Sequence, residues 1–299
     1  MMTVRLIIVV TLLGIMVAGI YCLQNADVLQ FHDYNVSGLP VKVEKAAAPA
    51  LVEQKSVTFV TYNVLVDEIA VDKRLPVLFR LMRESNADII AMQEVGDWFL
   101  ALLQKETWAG KYYLANSDPM NCGGNVILSK YPVKAAGCLP LPGKQARTAL
   151  LATFDVAGRK MSVATTHMDS PLESGDIRGR QLDVIFEHLA HAQDAVMLGD
   201  LNFGDGEGED KKIPADYVDL WKALKGSDPG FTWDNEKSGM ANESRFVGEP
   251  SRRLDRILVR STVWKPKDTM IIGDTPVVEG NKGLFPSDHF GLVGAMTRD

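Results

Sequence analysis

Asp200 and Asn202 stand two residues apart at the end of the apolar run Ala195-Val196-Met197-Leu198-Gly199. On an extended chain such neighbours face the same way, so a carboxylate and a carboxamide reach one phosphate or one water together. Residues of the same kind recur at the ends of other apolar runs. Asn63 follows Val57 to Tyr62, Glu94 follows Asp88 to Met92, and His167, with Asp169 beyond it, follows Lys160 to Thr166. Asp255 lies midway in the run Arg253 to Val259, and Asp288 and His289 precede the last apolar stretch. The set offers hard oxygen donors and imidazoles but no thiolate, which suits Mg2+ or Mn2+. Together these groups fit phosphoester hydrolysis. A divalent ion neutralises charge on the phosphoryl group, a His–Asp pair moves protons, and amides with a second imidazole grip the oxygens.

The runs that carry these residues read as strands alternating with helices. Leu75 to Met82 has apolar residues at helical spacing, and Ile177 to Ala192 is amphipathic. Gly124 to Ser129 and Thr148 to Val156 add strands, and an acidic, glycine-rich loop from Gly204 to Asp210 leads to a helix around Pro214 to Leu224. In such α/β chains ligands bind beyond the strand ends, where the candidate residues fall.

With 46% hydrophobic and 23% charged residues among 299, the chain has ample material for one large globular domain. Residues 1–50 balance Arg5, Lys42 and Lys45 against Asp27, Asp33 and Glu44, so the whole net charge of −6 falls on the remainder. A broad basic footprint for long duplex nucleic acid is therefore excluded, and a polyanionic substrate must be met locally. Of three cysteines, Cys122 and Cys138 fall in the domain without metal-type spacing; buried thiols or a disulfide both fit them.

Leu6 to Leu23 is an uncharged apolar stretch preceded by Arg5. Residues 1–23 read as a membrane anchor with the domain outside the cytoplasm, or as a signal segment whose cleavage would leave a secreted or periplasmic protein. Residues 24–55 read as a linker, and 56–299 as the catalytic domain, acting as a monomer. Taken singly, the chemical residues have plainer readings. His167 and His289 suit structural hydrogen bonds, Asp255 an ion pair with Arg252 or Arg256, and Trp233 packing. Lys211-Lys212 and Arg252-Arg253 read as solvated charge, with a phosphate role left open by their place near the site loops.

Thr61-Tyr62-Asn63, Gln93-Glu94, Gly199-Asp200-Leu201-Asn202 and Ser287-Asp288-His289, in this order, resemble the core motifs of the endonuclease/exonuclease/phosphatase superfamily over about Val57 to Ala295. Thr166-His167-Met168-Asp169-Ser170, Phe231-Thr232-Trp233-Asp234, Leu254-Asp255-Arg256-Ile257 and Phe285-Pro286-Ser287-Asp288-His289 resemble its tyrosyl-DNA phosphodiesterase branch. The resemblance implies a four-layer α/β sandwich of two packed mixed β-sheets, like deoxyribonuclease I. It also implies an Mg2+- or Mn2+-dependent phosphodiesterase acting on nucleic-acid ends, nucleotides or 5′-tyrosyl-DNA-like adducts. By the same resemblance Glu94 is the main metal ligand, with Asn63 and Asp288 beside it. His289, oriented by Asp255, transfers protons; Asp200 handles the attacking water; Asn202 and His167 hold phosphate oxygens; and Trp233 lies near the leaving group or the adjacent nucleotide. Arg147 is a phosphate contact read from its place before a strand. Gly204 departs from the branch, which has an arginine there. A phosphomonoesterase or lipid-headgroup phosphodiesterase fits the same scaffold, and a binding module without catalysis is the reading from another class.

Overall fold

In a computed structural model, residues 41–44, 54–117, 124–243, 246, 248–280 and 283–299 are described. The apolar segment at Leu6 to Leu23, most of the linker and Cys122 lie outside them. Among the described residues no helix is long and apolar enough to cross a membrane.

Among the described residues thirteen strands form two sheets. The first contains β1 (Val41–Glu44), β4 (Tyr113–Ser117), β5 (Gly124–Ser129), β3 (Ile89–Val95), β2 (Ser56–Asn63), β13 (Gly291–Thr297) and β12 (Lys265–Ile272), in that spatial order. The second contains β10 (Val218–Asp219), β11 (Asp255–Arg260), β9 (Asp194–Asp200), β8 (Arg159–His167), β7 (Thr148–Val156) and β6 (Val133–Pro140). Each is mixed: β2 runs parallel to β3 and β8 parallel to β9, while the other pairings are antiparallel. This is the expected sandwich.

The central strands are buried on both faces, so they read as nearly continuous apolar runs. One core cluster, including Phe59, Ile127, Leu150, Val196 and Ile257, fills the space between the sheets. Helix α1 (Val71–Ser85) and helix α2 (Asp97–Leu103) cover the outer face of the first sheet through Leu78, Met82 and Phe99. Helix α3 (Gly175–Leu189) covers that of the second through Leu182, Ile185 and Leu189. Two shorter helices are α4 (Leu220–Lys225) and α5 (Gly239–Asn242).

Three local expectations change. The helix expected around Pro214 to Leu224 shrinks to α4, because the Asp219 side chain accepts from the amides of Trp221 and Lys222 and caps the helix there. Asp255 opens β11 instead of lying midway, because the Thr232 hydroxyl takes the amides of both Leu254 and Asp255 at 3.0 Å and ends the ladder. Arg252 and Arg253 are not solvated but buried, at 6% and 1% exposure, with carboxylate partners.

Candidate active site

Register brings the chemical residues to one end of the sandwich. In the second sheet His167 pairs with Asp200, and Asp200 with Asp255, so three strands present three side chains in a row. In the first, β2 ends in Asn63 beside Gln93, and β3 carries Glu94. Glu94 has φ 59° within a register shift between Met92 and Val95, so a bulge turns its carboxylate towards the facing sheet. Asn202 likewise has φ 55°, and a left-handed residue at each of these positions carries backbone strain into the site.

Hydrogen bonds cross between the sheets at this end. Asn63 Nδ2 donates to Glu94 Oε1 and to Asp200 Oδ2, both at 3.0 Å. Gln93 Nε2 donates to Thr165 Oγ1 at 2.9 Å. His289, from the loop before β13, meets Asp255 Oδ2 through Nδ1 at 2.8 Å, and its Nε2 lies 3.7 Å from Asp200 Oδ2. That loop is held by the Ser287 hydroxyl, which donates to Asn63 O at 2.7 Å.

His167 and His289 carry opposite protonation. Arg147 Nη1 lies 2.9 Å from His167 Nδ1, and a guanidinium only donates, so Nδ1 accepts and the ring proton sits on Nε2, 3.3 Å from Asp200 Oδ2. Burial, then the Arg147 charge, then His289 hold the His167 pKa well below the usual imidazole range, and the ring is neutral. Burial also opposes charge on His289, but the Asp255 and Asp200 carboxylates outweigh it and hold its pKa well above that range.

The carboxylates crowd. Burial raises the Asp200 pKa against the relief that His289 provides, and burial followed by Asp288 raises that of Glu94. Four acids at one end thus outnumber the cationic His289 and Arg147, an excess that a divalent cation would neutralise. Asp200, Asp255 and His289 offer ligand atoms within 4.8 Å of one another, but the imidazole of that trio is already tied to Asp255. Glu94 and Asp288 also line the cavity, and Glu94 is fixed by Asn63 and the Val66 amide. Oxygen donors facing open space fit a hard ion.

The cavity, about 40 Å³, is lined by Glu94, His167, Asp200, Asn202, Asp288 and His289 on its chemical side. Trp233, Phe246 and Leu254 give it an apolar wall, with Trp233 only 3% exposed and packed on Leu254. Asn63 and Asp255 stand behind this lining, fully buried, and Arg147 touches the site through His167 and through Ser170 Oγ at 2.7 Å. Ser170, Glu249 and Arg252 also line the cavity. Ser170 ends the motif begun by His167, and Arg252 belongs to the arginine pair near the site loops; nothing in the local pattern marks Glu249.

The model of the Endonuclease/Exonuclease/phosphatase family matches residues 60–289. Tyrosyl-DNA phosphodiesterase 2 of Danio rerio is 27% identical over 84% of this chain and 69% of its own length. A 5′-tyrosyl-DNA phosphodiesterase of Caenorhabditis elegans is 27% identical over 73% of this chain and 60% of its own. The chain thus spans roughly two thirds of the length of these curated relatives. A crystal structure of D. rerio TDP2 complexed with single-strand DNA product superposes with a TM-score of 0.71 at 23% identity, covering 82% of this chain and all, 100%, of that one. A family protein of Bacteroides thetaiotaomicron gives 0.63 at 20% identity, over 82% and 98%.

Proposed function

The chain belongs to the endonuclease/exonuclease/phosphatase family of metal-dependent phosphoester hydrolases, and from that premise we propose that it cleaves phosphodiesters at nucleic-acid ends, 5′-aryl esters such as tyrosyl adducts among them. The observation that carries this reading is the placing of a neutral His167 and a cationic His289 on either side of Asp200, at 3.3 and 3.7 Å. That pattern supplies a hydrogen-bond donor, an acid and a base around one phosphorus. The relatives' names support the substrate class.

Glu94 is the principal ligand for Mg2+ or Mn2+, with Asp288 beside it and Asn63 fixing its carboxylate. When bound, the ion supplies charge neutralisation at the phosphoryl oxygens. Asp200, whose pKa burial raises, orients water and takes its proton. His167 donates from Nε2 to a phosphoryl oxygen, a tautomer set by Arg147, and Asn202 supplies a second donor. His289, held cationic by Asp255, delivers a proton to the departing oxygen. Trp233 and Leu254 give the leaving group an apolar wall.

The net charge of −6 favours short or single-stranded ends over internal duplex sites. We also propose, from Arg5 and the apolar run Leu6 to Leu23, that a monomeric domain is tethered or released outside the cytoplasm. The test is a panel of 5′-aryl oligonucleotides, a minimal aryl phosphodiester, aryl phosphomonoesters and supercoiled duplex, given to the full chain with Mg2+ or Mn2+. Turnover led by the oligonucleotide esters supports the reading. Turnover led by monoesters, or nicking of duplex without action on ends, overturns it.

A further inference from the structure

Three arginines follow one another closely before and within β11, and they are used differently. Arg253 and Arg256 are fully enclosed. Arg253 is bonded to Asp205 and Asp219, and Arg256 to Asp210 and the Phe203 carbonyl. These are internal ties. Arg252 instead lines the catalytic cavity, and it also lines a neighbouring cavity of about 610 Å³ that includes Gly204, Glu207, Phe231 and Pro250. It stands between the two.

Its position depends on Gly204. A Cβ added there would meet Glu207 Oε1 at 2.9 Å and the Arg252 stem at 3.2 and 3.3 Å, so the stem lies in space that a glycine leaves open. Arg252 is 6% exposed, and its Nε has no hydrogen-bond partner among the described residues. Its ion pairs are with Glu249 and, at 3.4 Å, with Glu207, whose side chains keep 14% and 28% exposure. Burial raises the Glu249 pKa despite that neighbour. Both partners therefore keep an edge on water towards which they can turn, and Arg252, unlike Arg253 and Arg256, faces the catalytic cavity itself.

We propose that Arg252 is a specificity-determining residue that takes the second phosphate of a nucleic-acid end, the one beyond the scissile group, as the strand leaves the catalytic cavity for its larger neighbour. The proposal rests on the reading of the site as a phosphodiesterase for such ends. A guanidinium suits the task because its planar fork matches phosphate oxygens, and exchanging two carboxylates for a phosphate keeps it neutralised throughout. Glu207 and Glu249 hold it ready and raise the cost of binding anything that lacks this second charge. Phe231 and Pro250 give the larger cavity apolar surface for the base that follows.

The experiment compares two esters with the full chain: an oligonucleotide carrying a 5′-nitrophenyl phosphate diester, and the nitrophenyl ester of thymidine 5′-phosphate, which has no second phosphate. Arg252→Met keeps the stem over Gly204 and removes the charge. Its kcat/KM on the oligonucleotide should fall about 10- to 100-fold, mainly through KM, against a several-fold smaller change on the mononucleotide. The slope of log kcat/KM against log salt should lessen by about 0.7 for the oligonucleotide. Arg252→Lys, the milder variant should Arg252→Met fold poorly, should keep the wild-type slope and lose less. Equal losses on both esters in a variant that melts like wild type, or no loss on either, overturn the assignment. Absence of wild-type turnover on both esters overturns the phosphodiesterase reading along with it.

Discussion

Asp255 opens β11 of the second sheet and His289 lies in the loop leading to β13 of the first, yet Asp255 Oδ2 lies 2.8 Å from His289 Nδ1 with both side chains buried. The other carboxylate oxygen, Oδ1, is buried without a partner among the described residues, so His289 carries the main compensation for the charge on Asp255. The two side chains form one unit. Asp255→Asn and His289→Asn should each lower kcat by about 10²- to 10⁴-fold, and the double variant should be no worse than the poorer single one. Additive losses in steady-state kinetics would show that they act separately.

Glu94 gives a prediction that separates ligation from folding. Burial and Asp288 raise its pKa, so at neutral pH its charged form opposes folding unless a cation is present. Glu94→Gln should raise the melting temperature in chelator by about a few degrees. It should also abolish the rise that Mg2+ gives the wild type, and reduce turnover at least about 10³-fold. A Gln variant that keeps the Mg2+-induced shift would remove Glu94 from the metal site.

Acid stability should report Asp210. Burial works to raise its pKa, but Arg256, the Gly206 amide and Lys222 outweigh it and hold the group down to about 2. A depressed carboxylate contributes stability above its unfolded value of about 3.9, and that contribution is lost as pH falls towards the folded value. Urea unfolding of Asp210→Asn should show a loss of about 2 kcal/mol or more at neutral pH, because Arg256 loses its 2.5 Å partner. Its stability should then fall less than that of wild type between about pH 4 and 2. Parallel acid limbs would refute the assignment.

Much of the site was legible because Asn63, Glu94, His167 and Asp200 terminate apolar runs whose periodicity marks strands. Strand ends fix position closely. What stayed hidden depends on residues far away in the chain. The start of β11 is set by the Thr232 hydroxyl, 22 and 23 residues before the amides it accepts. The burial of Arg253 depends on Asp205, 48 residues back, and Asp219, 34 back, so the usual expectation that arginine is exposed misled. The protonation states of the two histidines are also three-dimensional facts, since Arg147 is 20 residues from His167 and Asp255 is 34 from His289.

Gly199 is the strictest local requirement next to the site. Its φ is 148°, and a Cβ would come 2.2 Å from the Thr166 carbonyl oxygen on the adjacent strand. Gly199→Ala should therefore push β8 and β9 apart between His167 and Asp200. Expected are a loss of more than about 2 kcal/mol and a fall in kcat in whatever folded protein remains. Unchanged melting and turnover would mean that the strand pair is looser than drawn.

The division of the site between two sheets has a mechanical consequence. The Asn63 to Asp200 bond and the Asp255 to His289 pair both cross the interface between layers, so neither sheet carries a working half. A slip of one layer by a single residue is a step of about 3.3 Å, larger than the whole tolerance of a hydrogen bond. Turnover is thus a vernier for the alignment of the two layers. In mild urea it should fade while far-UV circular dichroism still records intact strands, and a tie that locks the layers at the opposite end should postpone the fading.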